Sequence, residues 1–213
     1  MRYPKKIFFG KSAFVIFRDV YEPAEDTFLL AENLSVNQGE TVLDMGTGCG
    51  ILAILAAENA GSVVAVDINP HAVICAKTNI ARNGVAGKIR VHRGDLFESI
   101  LPDEKFDIIL FNPPYLPVEA DEKDTWIENA WAGGRTGRKV IDRFIDTASK
   151  YLAKSGRILF LQSSLSNVEE TMKRFSKHNL HAKKICEKKL AFEKIVLIEA
   201  KRSQGRSCAH ANR

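Results

Sequence analysis

The chain has 213 residues, of which 45% are hydrophobic and 27% charged, as in an ordinary globular protein with room for one large core. Its net charge of +5 and isoelectric point of about 9.0 at first suggest nucleic acid as a partner. Four of the basic residues lie in residues 201–213, however, and the rest of the chain holds 27 basic and 26 acidic residues. The charge is therefore weak evidence for nucleic-acid binding, and we expect residues 201–213 to form a disordered basic tail.

The cysteines and the apolar runs exclude several classes of protein. No CxxC pair is present, so neither a metal site nor a disulfide framework is indicated, and free thiols in a reducing compartment such as the cytoplasm are expected. The longest apolar run, residues 51–57, is far too short to span a bilayer. The cysteines are Cys49, Cys75, Cys186 and Cys208.

Residues 1–20 are interrupted by charged residues and lack a cleavage pattern, so they predict a short hairpin extension and not a signal peptide. From residue 41 onward, patterns typical of strands and helices alternate. The strands are short runs rich in β-branched residues, and a buried helix, ILAILAAEN, follows the first of them. The predicted strands are 41–46, 62–68, 89–92, 106–111 and 156–162.

Capping signals place the remaining helices. Asn69 followed by Pro70 marks the start of a helix that ends at Asn83–Gly84. A 3.6-residue period predicts a helix over 138–152. Ser166 and Glu169 form a capping box that opens a further helix.

Two final strands, near 181–189 and 192–200, are separated by only two or three residues. That gap is too short for a crossover, so they predict an antiparallel hairpin. The alternation before them predicts a doubly wound, seven-stranded, mostly parallel α/β sheet of the Rossmann-like kind, in one domain over residues 1–200. Ligands of such folds bind at the carboxyl ends of the strands.

Acidic residues stand at three of these strand ends. A glycine-rich turn with the spacing GxGxG starts at Gly46, and Asp44 precedes it by two residues, where it would repel a pyrophosphate but attract an ammonium or sulfonium group. Asp67 ends the next strand, where it can accept both hydroxyls of a ribose. Asp95 ends the third of these strands, where its carboxylate can accept a hydrogen bond from the amine of an adenine. Together they predict a site for S-adenosylmethionine.

The stretch FNPPYLP, residues 111–117, ends a buried strand with two prolines. Proline lacks an N–H group, so this strand end offers acceptors without competing donors. The side-chain oxygen of Asn112 and the carbonyl of Pro113 can accept both hydrogens of a planar NH2 group, and Tyr115 can stack on it. The segment therefore predicts a device that positions a nitrogen nucleophile for methyl transfer.

Four blocks of sequence resemble the HemK/PrmC family of glutamine methyltransferases, in particular its eukaryotic and archaeal branch. The family modifies the glutamine of the Gly-Gly-Gln loop in class I translation release factors. The extra helical domain that bacterial members carry has no counterpart in the roughly 20 residues before Tyr21. The blocks are YEPAEDTFLL (21–30), DINP (67–70), FNPPY (111–115) and WAGGRTGRKVIDRF (131–144).

The resemblance implies a role for each matching residue. Those around the cofactor are Tyr21, Glu25 and Thr27 near its methionine part, Asp44, Gly46 and Gly48 at its amino-acid portion, Asp67 on the ribose, Asp95 at the adenine, and, elsewhere on the cofactor, Ile68, Leu96 and Asn112. Those around the glutamine amide are Asn112, Pro113, Pro114 and Tyr115, with Trp131, Gly133 and Gly134 as the wall of the acceptor pocket. Asn112, Pro113 and Tyr115 are the expected catalytic residues, and no metal is implied.

Partners and alternatives complete the hypothesis. Relatives in this branch work with a small zinc-binding activator subunit, and the open edge expected at strand 89–92 could receive one. The rival functions are adenine methylation of RNA or DNA, methylation of another side chain such as lysine, and a noncatalytic cofactor-binding subunit. A duplex base modifier must flip and read the base, and little of this chain is left over for that task. Nucleic acid is therefore not the expected substrate, and a cytoplasmic location is expected.

Overall fold

The structure is a computed structural model and describes residues 4–119 and 125–202. Nine strands run β1 Lys5–Phe9, β2 Ser12–Ile16, β3 Thr41–Met45, β4 Ser62–Asp67, β5 Ile89–Arg93, β6 Phe106–Phe111, β7 Leu152–Ser163, β8 Leu180–Lys189 and β9 Lys194–Arg202. Six helices run α1 Glu25–Glu32, α2 Ile51–Ala56, α3 Pro70–Arg82, α4 Trp126–Asn129, α5 Lys139–Tyr151 and α6 Val168–Lys177. Of the helices in the described ranges, none has both the length and the apolar character needed to cross a membrane.

Seven strands form the central sheet in the order β5-β4-β3-β6-β7-β9-β8. The five strands from β5 to β7 are parallel, and β9 pairs antiparallel with both β7 and β8. This confirms the predicted fold class and its C-terminal hairpin. The chain moves outward from β3 to β5 and then returns to place β6 on the other side of β3. The carboxyl ends of β3 and β6 therefore lie at the topological switch point, where such folds bind ligands.

The central strands are buried on both faces, which explains their continuous apolar sequences. Residues 108–110 of β6, for example, are fully buried. Phenylalanines join the layers, with ring centroids 4.5 Å apart for Phe111 and Phe144 and 5.8 Å apart for Phe160 and Phe175. This packing holds the end of β6, and so the segment that follows it, against the helix layer.

The N-terminal hairpin of β1 and β2 is confirmed, and one buried amide attaches it to the domain. The side chain of Asn79 in α3 donates to the carbonyl of Val15 at 2.9 Å and accepts from the amide of Val15 at 2.8 Å. The same NH2 group donates to the carbonyl of Cys49 at 2.8 Å, in the glycine-rich turn. Asn79 therefore couples the hairpin to the turn at the end of β3.

Two local predictions need correction, and two helices were missed. The capping box of Ser166 and Glu169 is wrong, because Asn167 caps α6 by accepting from the amide of Glu170, while the Ser166 hydroxyl donates to the carbonyl of Ser163. The last strand runs to Arg202, so residues 201 and 202 belong to a strand and not to the predicted tail, and residues 203–213 lie outside the described residues. Helices α1 and α4 were not predicted from periodicity. The cap at Asn69–Pro70 is confirmed.

We expect Asn79→Ala to lower the free energy of unfolding by about 3 kcal/mol. The lost amide leaves the amide of Val15 and the carbonyl of Cys49 without its bonds, whereas the carbonyl of Val15 still accepts from the thiol of Cys75 at 3.2 Å. Each buried group left unpaired costs about 1–3 kcal/mol. Asn83→Ala is the matched control, because Asn83 makes the same pair of bonds to Ala13 one turn later, at an exposed position. Urea denaturation of both variants checks this, and equal losses would contradict the role assigned to the buried amide.

Candidate methyl-transfer site

A cleft of about 870 Å³ opens at the carboxyl ends of β3, β4 and β6. Its walls are the glycine-rich turn, the turn after β4, residues 94–96 after β5, and the segments 111–116 and 126–132. Almost all the residues predicted for the cofactor and the acceptor line this cleft, although they come from distant parts of the chain. They are Tyr21, Thr27, Gly46, Gly48, Asp67, Ile68, Asp95, Leu96, Asn112, Pro113, Pro114, Tyr115 and Trp131.

The glycine-rich turn leaves open space on the cleft side. Gly46, Gly48 and Gly50 all have left-handed backbone angles, with φ of +66°, +56° and +86°. A Cβ atom at Gly48 would meet nothing within 4 Å, whereas one at Gly46 would lie 3.3 Å from the ring of Phe111. Glycine is thus required for the backbone path at these positions, and Gly48 allows a ligand to approach the backbone closely.

Asp67 links this turn to the end of β4. One carboxylate oxygen accepts from the amide of Gly48 at 2.8 Å, and the other accepts from the amide of Asn69 at 2.9 Å. Burial raises the pKa of Asp67, and these backbone bonds counteract the rise. Each oxygen of a carboxylate can accept a further hydrogen bond. Asp67 is therefore held rigidly at the cleft with acceptor capacity remaining for a pair of hydroxyls.

Asp95 is held by a side chain of the helix layer. Its carboxylate accepts from the guanidinium of Arg143 in α5 at 2.8 Å, and both residues line the cleft. The next residue, Leu96, has a left-handed φ of +50°. Ile68, half-exposed after Asp67, and Leu96 both contribute apolar surface to this end of the cleft. Arg143 was not anticipated from the sequence, which shows no signal for a pairing across 48 residues.

Asp44 does not line the cleft, although we predicted contact with a cofactor. It lies fully buried behind the turn, where one oxygen accepts from the hydroxyl of Thr47 at 2.6 Å and from the amide of Ala53 at 3.1 Å. Burial raises the pKa of Asp44 to about 7, against the lowering effect of these two bonds. Through these contacts Asp44 joins the glycine-rich turn to helix α2.

The acceptor end is organised by Asp26, a residue that we did not predict. The NH2 group of Asn112 donates to the carboxylate of Asp26 at 3.0 Å and lies 3.2 Å from the hydroxyl oxygen of Thr27. Because a carboxylate only accepts, it requires the NH2 side of Asn112 to face it. The opposite atom, Asn112 Oδ1, is buried and has no hydrogen-bond partner among the described residues. The amide thus presents an unused acceptor.

Two tyrosines share the same carboxylate. The hydroxyl of Tyr21 lies 3.0–3.1 Å from both oxygens of Asp26, and the hydroxyl of Tyr115 donates to Oδ2 at 3.1 Å. Burial, followed by the negative charge of Asp26, raises the pKa of both phenols. Both therefore stay protonated and act as donors to Asp26, and neither supplies a base.

Glu25, predicted to lie near the cofactor, is exposed and outside the cleft lining. It pairs instead with Lys188 in β8. A signal for the difference was present in the sequence: Asp26 lies three and four residues before Leu29 and Leu30, so it shares their buried helical face. The resemblance identified the right block but not which of the two acids faces inward.

Residues 126–132 form the remaining wall. The amide of Leu116 donates to the carbonyl of Trp131 at 3.0 Å, and the amide of Gly133 donates to the carbonyl of Leu116 at 2.8 Å. A Cβ atom at Gly133 would lie 2.7 Å from the backbone of Gly137. Gly133 therefore serves the close packing of this segment, and Gly134 has a left-handed φ of +75°. Neither glycine lines the cleft, whereas Trp131 does.

The chemistry of this cleft follows from its donors and acceptors. One end has carboxylates and open glycine backbone, and the other has an unused amide oxygen beside a proline carbonyl and an aromatic ring. This arrangement suits a polar cofactor and a planar NH2 group held next to each other. Within residues 4–119 and 125–202, no group of three or more His, Cys, Asp or Glu side chains could hold a metal ion.

Comparisons with known proteins agree with this chemistry. The family model described as methyltransferase small domain matches residues 22–188. A protein of Methanocaldococcus jannaschii that bears the name of a protein N5-glutamine methyltransferase is 42% identical over 85% of this chain and 91% of its own length. The human methyltransferase HEMK2 is 38% identical over 74% of this chain and 78% of its own length.

A solved structure is similar over most of both chains. It is the E. cuniculi Mtq2-Trm112 complex, described as responsible for methylation of the eRF1 translation termination factor. It is 27% identical, has a TM-score of 0.69, and the match covers 87% of this chain and 99% of that one. Sequence, fold and site thus agree, and the chain belongs to the methyltransferase small-domain family, within its HemK-type branch of S-adenosylmethionine-dependent protein-glutamine N-methyltransferases.

Proposed function

We propose that this enzyme methylates the side-chain amide of the glutamine in the Gly-Gly-Gln loop of a class I translation release factor, in the cytoplasm. The proposal rests on Asn112, which lines the cleft and whose buried Oδ1 has no hydrogen-bond partner among the described residues, so that it could accept from a group with N–H donors. The eRF1 substrate named for the similar E. cuniculi complex supports the same choice. A protein loop with two glycines is narrow enough to deliver one amide into a cleft.

The cofactor end of the cleft fits S-adenosylmethionine, which supplies a methyl group on a positively charged sulfur. Asp67 would accept from the ribose hydroxyls, and Ile68 and Leu96 would cover the faces of the adenine. Asp95 would accept from the adenine amine with its orientation fixed by Arg143. Gly46 and Gly48 would receive the amino-acid portion against open backbone, with Tyr21 and Thr27 near the methionine chain.

At the other end, Asn112, Pro113 and Tyr115 form what we call the acceptor clamp. The oxygen of Asn112 and the carbonyl of Pro113 would each accept one N–H of the glutamine amide, and the ring of Tyr115 would lie against its plane. Positioning of this kind can contribute about 7–11 kcal/mol to lowering a barrier. A strong general base is not needed, because the nitrogen becomes acidic once it carries the methyl group and then loses its proton.

The test is incubation of the enzyme with labelled S-adenosylmethionine and a class I release factor, followed by peptide mass mapping. We expect one added methyl group on the Gly-Gly-Gln glutamine. A release factor with glutamate at that position is the control, because glutamate lacks both N–H donors and adds a negative charge against two acceptors. Transfer to adenine in RNA or DNA, or to a lysine, with none to the release factor would contradict the proposal.

A second experiment tests the arrangement of the clamp. We expect Asp26→Ala to lower the rate of single-turnover methyl transfer about 100-fold, since misplacement of a positioning group by about 1 Å can cost that much. The dissociation constant of the cofactor should change much less. Glu25→Ala is the matched control, because it removes the neighbouring acid outside the cleft and should leave the rate near that of the unchanged enzyme. Equal rates for the two variants would rule out the role of Asp26.

We further propose a small zinc-binding activator subunit as a partner, in line with the Mtq2-Trm112 complex of the similar structure. As predicted, β5 lies at an open edge of the sheet. The carbonyl of Lys88 and the amide of Gly94 bond to β4, so the alternating residues Ile89, Val91 and Arg93 direct their backbone groups toward the open edge. An added strand of the partner could pair with them.

Val91→Pro tests this pairing. It removes an N–H group that faces away from β4, so we expect the single chain to keep its fold while its affinity for the activator falls at least about tenfold, or about 1.4 kcal/mol. Light scattering of the chain co-expressed with the activator, and thermal unfolding of the single chain, provide the two measurements. A Val91→Pro chain that still forms the complex with undiminished affinity would contradict strand addition at this edge.

A further inference from the structure

The turn between β8 and β9, residues 190–193, carries the most exposed large apolar side chain among the described residues. We call this turn the hairpin tip. Phe192 is 94% exposed, compared with 74% for Phe8 and 68% for Leu101. Burying a phenylalanine that is exposed to water is favourable, because it removes a large apolar surface from water. An aromatic residue held in water at a turn is therefore a candidate anchor for a partner.

The hairpin tip stands beside the acceptor clamp. Ile195, just beyond the tip, pairs with Ser163 at the carboxyl end of β7, on the side of the sheet where the cleft opens. Glu193 lies near enough that its negative charge adds to the rise in pKa of Tyr21 and Tyr115 that burial and Asp26 produce. Lys188, at the end of β8, pairs with Glu25 beside Asp26. The hairpin tip is therefore near the clamp, on the side of the sheet where the cleft opens.

The turn is fixed in place, which keeps Phe192 directed outward. The amide of Leu190 donates to the carbonyl of Glu193 at 2.8 Å and closes the turn. The amide of Lys194 donates to the hydroxyl of Ser164 at 3.0 Å and ties the turn to the end of β7. Because these bonds order the backbone before any partner arrives, docking would cost little additional conformational entropy.

Charge around the hairpin tip defines the chemistry of the partner. Residues 183–194 contain five lysines and two glutamates. Three of the lysines form ion pairs within the chain, as Lys183–Glu199, Lys188–Glu25 and Lys194–Glu187. Lys184 and Lys189 form no ion pair among the described residues. Their positive charge near Phe192 favours a partner surface with acidic residues, and Phe192 requires an apolar pocket within it.

We propose that the hairpin tip is the docking site for the protein substrate, with Phe192 entering an apolar pocket bordered by acidic residues beside the loop that carries the glutamine. This inference rests on the proposed function. The position of the tip favours the substrate over other occupants, because an activator or a second copy seated there would cover the entrance to the clamp. The edge strand β5, proposed for the activator, is separated from β8 by five strands of the sheet.

Kinetics with Phe192→Ala test the proposal on two substrates, a full-length class I release factor and a short peptide that contains its Gly-Gly-Gln sequence. We expect the KM for the full-length protein to rise about tenfold, in line with about 1.4 kcal/mol of lost burial. We expect the kcat, the activity on the peptide and the cofactor affinity to stay within about twofold of the values for the unchanged enzyme. The melting temperature should stay within a few degrees. Phe192→Leu should give an intermediate KM.

Leu101→Ala is the matched control, because Leu101 is also an exposed apolar residue but precedes β6, at the opposite end of the strands from the cleft. The same KM for Phe192→Ala and Leu101→Ala would overturn the docking site while leaving the methyl-transfer function intact. Equal losses on protein and peptide, or self-association that only Phe192→Ala abolishes in light scattering, would also overturn it. If the unchanged enzyme transfers no methyl group to the release factor, the proposed function fails and the docking site fails with it.

Discussion

One buried carboxylate determines the geometry of the acceptor end. Asp26 can only accept hydrogen bonds, so each polar group around it must turn a donor inward: the NH2 group of Asn112 and the hydroxyls of Tyr21 and Tyr115. The same constraint leaves the oxygen of Asn112 unpaired and buried. An unsatisfied buried acceptor costs about 1–3 kcal/mol. The fold retains this cost at the place where, in our proposal, the substrate amide supplies the missing donor.

The rest of the fold brings the parts of this network together. Reversal of strand order places the ends of β3 and β6 side by side, and the packing of Phe111 against Phe144 holds the end of β6 in position. Helix α1 brings Asp26 to Asn112 across 86 residues of sequence. At the other end, two aspartates hold the glycine-rich turn. Asp67 accepts from its backbone on the cleft side, and Asp44 accepts from its Thr47 hydroxyl on the interior side. Both halves of the site are therefore rigid, as positioning of two reactants requires.

The two proposed partner surfaces lie at opposite edges of the sheet. The open edge of β5 has unpaired backbone groups and suits a partner that adds a strand. The hairpin tip has a fixed turn, one exposed aromatic side chain and an excess of lysine, and suits a folded protein with an acidic surface. Because the cleft lies between them, both surfaces can be engaged at once, with the activator far from the clamp and the substrate beside it.

The amino-acid sequence by itself determined the class of fold and most of the cleft lining. Strand alternation, the GxGxG spacing, the acids at Asp67 and Asp95 and the proline-terminated strand are local patterns, and each reflects short-range backbone geometry. Tertiary structure alone decided that Asp26 holds the NH2 group of Asn112, that Arg143 holds Asp95, and that Asp44 lies behind the turn. These outcomes depend on hydrogen-bond partners and burial supplied by distant segments, which no local pattern specifies.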